Sequence, residues 1–583
     1  MSNEETSASA DASAGPNDAG LNDAGPTESG PTSAEAHFDS RYPIADLITA
    51  IDNERPHLQV IGAGGSLKAC LLADLSRRVE RPLVVLTASP ADARTLATDL
   101  ELFASGTTFG DEQEEDAPFY DEVALYPEFD VGPFHNASPD RKLMMQRLST
   151  LHKLLDERAP RYTVAPIQAT MRRTIPISAL RKFSRRLSVG DELANEDFRG
   201  YLADCGYTEV PVVEDKGTYA IRGDIVDVFV PSETHPLRIE RWGDEISEIR
   251  TFNAETQRTV DERGECTIFP VRQEILDDES VERARRSLRE LGDELQFPSR
   301  EVREIEADLQ AGLHFIGVDA LLPALHEECN DLFDYVPDDA IVVIVDPDTV
   351  LDQGESLIEN RREEYERAVE NGDLVFPMET YFREAPSMVG WVRARSTRLE
   401  VRRVAMQPVD DELAFRLPAD RDTFEFRARP NTDVVRLRKE KRGVEQTVKK
   451  LVEHIAQWKS RYGRIGFACR TAGQVDRLVS LLRSYGEDAI DLEPPIDVTE
   501  PVPPPAGLIE VYQGDLSAGF RSEHLGLCLV SGEEVFGQRV ATHGTKSVTE
   551  HAEISHFRDL TPGDHVVHVD FGIGKYHGLV HLE

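Results

Sequence analysis

Apolar and polar positions along this chain follow two periods, and the switches between them lay out its organisation. From Pro43 onward, short wholly apolar runs of strand length precede stretches whose apolar residues recur every three or four positions. Residues 58–61 and 82–86 are such runs. Residues 67–78, 92–103 and 141–155 carry the helical period. Strand followed by helix, repeated, predicts an α/β domain with a parallel sheet. Between Thr218 and Phe252 the period falls to two, with Gly217, Gly223, Pro231 and Gly243 as punctuation. That pattern predicts a four-stranded meander over 219–222, 225–230, 237–242 and 246–252. Charged helices are expected over 279–313. An apolar strand over 341–345 ends at Asp346-Pro347, and a charged helix follows to about Asn371. A second α/β region is expected from near Thr397, with a long helix over 434–462 and a strand over 465–469. A helix over 475–485 and strands over 508–512 and 525–530 complete it, and 493–505 reads as a proline-rich inserted loop.

The two ends differ from this body. Residues 1–38 have almost no large apolar side chains, which predicts disorder. Residues 540–557 are polar and read as a linker. Pro562-Gly563 then suits the centre of a tight turn. Strands are expected over 565–571 and 575–582, separated by Gly572 and Gly574. Val567, Val569 and Phe571 share one face of the first, and Tyr576, Val580 and Leu582 share one face of the second. A lone hairpin is marginal in water, so this pair is expected to be the front of a small β-barrel whose remainder lies beyond Glu583.

Composition narrows the partners. The 583 residues are enough for several domains. A net charge of −42 opposes bulk attraction to DNA or an anionic membrane, so any acidic partner must meet a local basic patch. The six cysteines are scattered without CxxC pairs, which fits a reducing, cytoplasmic setting and gives no zinc site. No apolar run is long enough for a membrane span. Seven histidines crowd 543–581, but His565 and His568 would face opposite sides of a strand and no cysteine joins them; a solvated surface explains them better than a metal site.

Three motifs carry candidate chemistry. Gly62-Ala63-Gly64-Gly65-Ser66-Leu67-Lys68-Ala69 sits between strand and helix, where a phosphate-binding loop would lie. Leu67 replaces the second glycine and Ala69 lacks the Mg²⁺-binding hydroxyl, so Gly62, Gly65 and Lys68 mark a degenerate nucleotide loop expected to be inactive. The strand ending at Asp346 resembles a Walker B strand, but Pro347 stands where a catalytic glutamate is needed. No catalytic residue and no metal or cofactor site are assigned. The third motif is basic: 161–190 contains no acidic residue but includes Arg172, Arg173, Arg181, Lys182, Arg185 and Arg186. A solvated positive face and a docking site for an acidic partner are evenly matched readings.

Long strings then carry a family resemblance. Leu125-Tyr126-Pro127-Glu128-Phe129-Asp130 with Ser138-Pro139-Asp140-Arg141, the run from Gly217 to Phe229, and Arg238 to Ile246 with Glu255-Thr256-Gln257-Arg258 resemble the UvrB-like module of the bacterial transcription-repair coupling factors. Residues 559–583 resemble the front of the RNA-polymerase-interacting module that those proteins share with CarD-type regulators. UvrB carries the same module, but with an intact nucleotide loop and a tyrosine-rich hairpin; here 105–123 are acidic with only Tyr120.

The resemblance implies a multi-domain α/β chain: a degenerate RecA-type UvrB-like domain with an inserted small α+β domain, a second α/β domain, and the first strands of an SH3/Tudor-like barrel. The implied boundaries are an acidic disordered tail over 1–40, the UvrB-like domain over 41–160 and 212–375, and a UvrA-interaction domain over 161–211. The second α/β domain covers 395–540, a linker 541–558 and the polymerase-interacting segment 559–583. Arg172, Arg173, Arg181 and Arg185 become candidate contacts for UvrA. Val567, Ile573 and Tyr576 become candidate contacts for the RNA polymerase β subunit. The family's ATP, Mg²⁺ and double-stranded DNA belong to motor domains expected beyond this segment. The resulting expectation is a cytoplasmic recruitment half without an engine. The alternatives are a motorless CarD-like regulator and a UvrB-type helicase relative.

Overall fold

The computed structural model describes residues 43–104, 122–135, 137–156, 159–395, 397–403, 422–440, 443–498, 507–537, 565–568 and 572–575. The expected tail, the acidic loop, the linker and Tyr576 lie outside them. Three larger sheets organise the body.

The first sheet has seven strands in the order Asp422–Glu425, His57–Ile61, Arg398–Arg402, Ile341–Val345, Leu83–Thr87, Tyr162–Pro166 and Val123–Leu125. All its pairings are parallel. Parallel strands need crossovers, and the helices Leu67–Val79, Pro90–Ala104 and Pro347–Asn371 supply them. Ile341–Val345 is wholly buried, as an unbroken apolar run in a sheet covered on both faces must be. Two expected boundaries move here. Arg398–Arg402 and Asp422–Glu425 belong to the first sheet, although the pattern placed them in a second domain beginning at 395. Tyr162–Pro166 also belongs to it, although 161–211 was expected to be a separate unit.

The second sheet is the inserted one. Its six strands run Thr259–Arg263, Glu245–Phe252, Leu237–Trp242, Ile225–Val228, Thr218–Arg222 and Thr208–Glu209. Four of the first five form the predicted antiparallel meander, Thr259–Arg263 adds an unpredicted fifth strand at its edge, and Thr208–Glu209 joins in parallel. Beside it Arg185–Ser188 pairs with Glu265–Ile268. The break expected at 211/212 therefore falls inside one folded unit, because strands on its two sides pair. One face of the meander, including Val226, Ile239 and Ile249, enters the largest core cluster. The helices Asp278–Glu294 and Ser299–Gln310 form a satellite core with Phe376, Tyr381 and Phe382.

The third sheet runs Arg429–Pro430, Phe520–Ser522, Leu527–Ser531, Arg464–Cys469, Ile509–Gln513 and Ala489–Leu492, parallel over its last four strands. The single helix expected over 434–462 is two, Thr432–Glu440 and Val444–Lys459. Gly443, at φ +112°, sits between them in a conformation closed to most side chains. Ala468, Leu516, Phe520 and Leu529 share a core with Leu58, Leu67 and Leu100, so the first and third sheets are packed into one body.

Of the last pair, 565–568 and 572–575 are described, and the rest of both expected strands lies outside the described residues. His565–His568 pairs antiparallel with Gly572–Lys575, so Gly572 and Gly574 lie within the second strand instead of ending the first. Val567 and Ile573 are directly opposed in that register.

Candidate functional site

The glycine-rich turn folds as the pattern predicts, between a strand and a helix, but backbone from elsewhere packs against Gly62 and Ser66 is buried. Gly62 adopts φ +85° and donates its N–H to the Arg402 carbonyl at 2.9 Å. A Cβ there would fall inside the contact radius of the Phe426 carbonyl oxygen. The third-sheet loop around Leu516–Gly519 covers the other side. Ser66 is fully buried and donates its hydroxyl to the Ala518 carbonyl at 2.5 Å. Asp99 accepts from the Ser517 N–H at 2.7 Å and from its hydroxyl at 2.6 Å. Burial pushes Asp99 up to about 6, against the opposing pull of those hydrogen bonds and of nearby Lys68. Gly65 faces Gly519 and Ala518. A phosphate cradle needs backbone N–H groups turned toward an open space. Here the space beside Gly62 holds the Phe426 backbone, Leu67 is buried in the core and Ala69 offers no hydroxyl. The residues present do not fit a nucleotide and its Mg²⁺.

The Walker-like strand end is likewise committed to structure. Asp346 adopts φ +53° and donates its N–H to the Val401 carbonyl at 2.9 Å. The neighbouring Arg402 pairs with Asp348 and, at 2.9 Å, with Glu400.

The basic segment does not form one face. Arg172 is buried. It donates to the Val131 carbonyl at 2.6 Å, lies 3.6 Å from Asp319 and covers the Phe129 ring. It belongs to an interior box built from the family-like string: Arg147 lies over the Tyr126 and Phe129 rings and donates to the Pro127 carbonyl at 2.8 Å. This corrects Arg172 as a surface contact, because a guanidinium enclosed by rings, a carbonyl and a carboxylate has no face left for a partner. Arg173 is partly buried near Asp331 at 3.9 Å and the Cys329 carbonyl at 3.3 Å. Arg181 and Arg185 are exposed, and Arg185 lies 3.9 Å over the Tyr201 ring. Lys182 bridges to Asp277 at 3.0 Å and Glu279 at 3.1 Å, and Arg186 pairs with Glu265. The sequence had no means of separating these positions: successive arginines turn to different sides as the chain passes from strand through short helix to strand.

The inserted sheet is where exposed polar chemistry collects. On its solvent face the fully buried Asp227 carboxylate accepts from Arg222 at 2.5 Å and from Arg238 at 2.7 and 2.9 Å. Arg238 also covers the Phe252 ring at 4.4 Å. Glu240 and Arg250 pair across neighbouring strands. At the end of that face Trp242 is 87% exposed, more than any other large apolar side chain among the described residues. Sequence reasoning passed over it as one more strand residue; its place next to the turn glycine Gly243 was the available signal.

This unit is also where a family match falls. The description "UvrB interaction domain" matches residues 186–273, which covers the inserted sheet and nearly all of the strand pair beside it and leaves Arg172, Arg173, Arg181 and Arg185 just outside. Residues 186–273 are thus similar to UvrB interaction domains. Whole-chain similarity extends this. A transcription-repair-coupling factor from Myxococcus xanthus is 29% identical over 90% of this chain and 42% of its own length. Its counterpart in Haemophilus influenzae is 26% identical over 79% of this chain and 38% of its own length. The one from Bacillus subtilis is 22% identical over 90% and 42%. The chain is similar to transcription-repair-coupling factors along most of its length and spans about two-fifths of theirs. No helix among the described residues is long and apolar enough to cross a membrane.

Proposed function

We propose that this chain is the repair-recruiting portion of a transcription-repair-coupling factor, binding UvrA through its inserted unit. The observation that carries this is the coincidence of the UvrB interaction domain match with a folded unit whose outer face carries paired charges, Arg222 and Arg238 on Asp227 and Arg250 with Glu240. Of the basic candidates, Arg181 and Arg185 have the exposure a docking contact needs. The test is direct titration of purified UvrA with the whole chain. Arg181→Glu with Arg185→Glu should weaken binding at least ~10-fold, the loss expected for two interfacial charges. Unchanged affinity would remove those two residues, and no binding by the unaltered chain would remove the recruitment reading.

The chain is proposed to work without hydrolysing ATP, with ATP, Mg²⁺ and double-stranded DNA left to motor domains of a longer protein. The filled turn at Gly62–Ser66 supports this. ATP turnover abolished by Lys68→Ala would overturn it. The hairpin His565–His568 with Gly572–Lys575 is proposed to meet the RNA polymerase β subunit by adding its edge to a sheet there, with Val567, Ile573 and Tyr576 as contacts. Retention of the chain on immobilised RNA polymerase, lost in Val567→Asp with Ile573→Asp, is the corresponding measurement.

A further inference from the structure

Three loops meet at one end of the inserted sheet. Gly190 donates to the Ile246 carbonyl at 2.8 Å, Ile246 to the Asp191 carbonyl at 2.8 Å, and Leu193 to the Asp244 carbonyl at 2.6 Å. Arg241 donates from its backbone to the Asp224 carbonyl at 2.9 Å, and its buried guanidinium reaches the Leu193 carbonyl at 2.7 Å and the Gly223 carbonyl at 3.2 Å. These bonds lock segments 189–192, 223–224 and 242–245 into one surface, and every residue in the three is exposed. They carry Asp191, Glu192, Asp224, Asp244 and Glu245, two apolar side chains, Val189 and Trp242, and no lysine or arginine. Three flanking cations are engaged elsewhere: Arg222 is drawn along the sheet to Asp227 at 2.5 Å, Arg241 turns inward, and Arg263, next to the Gly264 carbonyl that accepts from Val189, lies 3.6 Å from Asp261.

Tryptophan is seldom left this exposed, and it is the residue most enriched at the energetic centres of interfaces. It is also the best ring for cation–π contact. Here the ring stands on a hydrogen-bonded platform, so little ordering remains to be done on binding. Carboxylates around an indole repel phosphate and attract ammonium and guanidinium groups. We propose that this end of the inserted sheet is a docking surface for an arginine- or lysine-bearing segment of a protein partner. Trp242 takes the cationic side chain on its face, and Asp224, Asp244 and Glu245 hold its neighbours. The surface is distinct in sign from the basic contacts proposed for UvrA and does not depend on them.

A fluorescein-labelled octa-arginine peptide is the probe, titrated into the whole chain at physiological salt, with peptide anisotropy reading affinity and acrylamide quenching of tryptophan fluorescence reading the indole. The other two tryptophans are less accessible: Trp458 is buried, and Trp391 is partly buried, stacked on Phe333 with Arg395 over its ring. The peptide should protect the exposed indole from quenching. Trp242→Ala should weaken peptide binding at least ~5-fold, the scale of one cation–π contact, with unchanged thermal unfolding. Asp224→Asn with Asp244→Asn and Glu245→Gln should weaken it at least as much while leaving the indole exposed. Equal affinity of the Trp242→Ala and unaltered chains would show bulk charge attraction and overturn the proposal. So would protection by a twelve-residue oligothymidylate, which would make the surface a base-stacking platform.

Discussion

The glycine-rich turn of the first sheet and the outer end of the inserted sheet are both strand-end turns with glycines at positive φ, yet they use their polar groups in opposite ways. At the first, Ser66 and Asp99 are buried and spend their hydrogen bonds on Ala518 and Ser517 of the third sheet. At the second, the backbone satisfies itself across three loops, and the side chains of Trp242, Asp244 and Glu245 remain outside. A turn inherits no function from its shape. What matters is whether a neighbouring element has filled the space in front of it.

This contrast can be broken from either side. The largest effect should come from Gly62→Ala, which combines strain at φ +85° with a collision against the Phe426 carbonyl. Positive-φ strain and overpacking together should cost about 3–5 kcal/mol in chemical denaturation. Gly243→Ala, at φ +67° but with open space around it, should cost only about 1–2 kcal/mol by the strain alone. Equal costs would mean that the first turn is not packed as described.

Next in size is the pH response of the sealed contact. Asp99 is held up at about 6 against an ordinary 3.8, so between those values the folded chain holds more protons than the unfolded one. Its contribution to stability is therefore fully present below about pH 4, falls as pH rises toward 6, and is flat above that. The loss is on the order of 2–3 kcal/mol. Asp99→Asn should remove that slope from a series of unfolding curves across pH 4 to 7; an unaltered slope would assign it to other groups, such as buried Glu274, which is pushed up to about 7. Ser517→Ala should follow, at about 1–3 kcal/mol, because it deprives a buried carboxylate of a donor. Trp242→Ala should be the smallest, within about 0.5 kcal/mol by thermal unfolding, as expected where a side chain supports nothing in the fold. A large loss would show that the indole packs against the chain and would weaken the docking proposal.

Much of the fold was legible where local pattern was strong. The helix Arg141–Leu155 and the strands Ile341–Val345 and Leu237–Trp242 fall where periodicity put them. The departure of Leu67 and Ala69 from a phosphate-loop pattern was also readable, since it lies in residue identity alone. Domain boundaries were less so. His57–Ile61 pairs with Arg398–Arg402, far away in sequence, and neither segment carries a mark that names the other. The long helix over 434–462 was read through Gly443, because charged residues on both sides kept the helical pattern alive. The site was the least legible part. Arg172 and Arg185 are alike in sequence, but one is enclosed with Phe129 and Asp319 while the other lies exposed over Tyr201.

By itself the sequence determined the succession of strands and helices, the net charge and the departure of Leu67 and Ala69 from a phosphate-loop pattern. Each of these depends on residue identity over a few positions. Only the tertiary structure decided that Ser66 faces a neighbouring loop, that Arg172 is internal and that Trp242 stands in solvent. Those outcomes depend on which distant segments pack together: periodicity marks a face as apolar or polar, but long-range packing chooses what covers it.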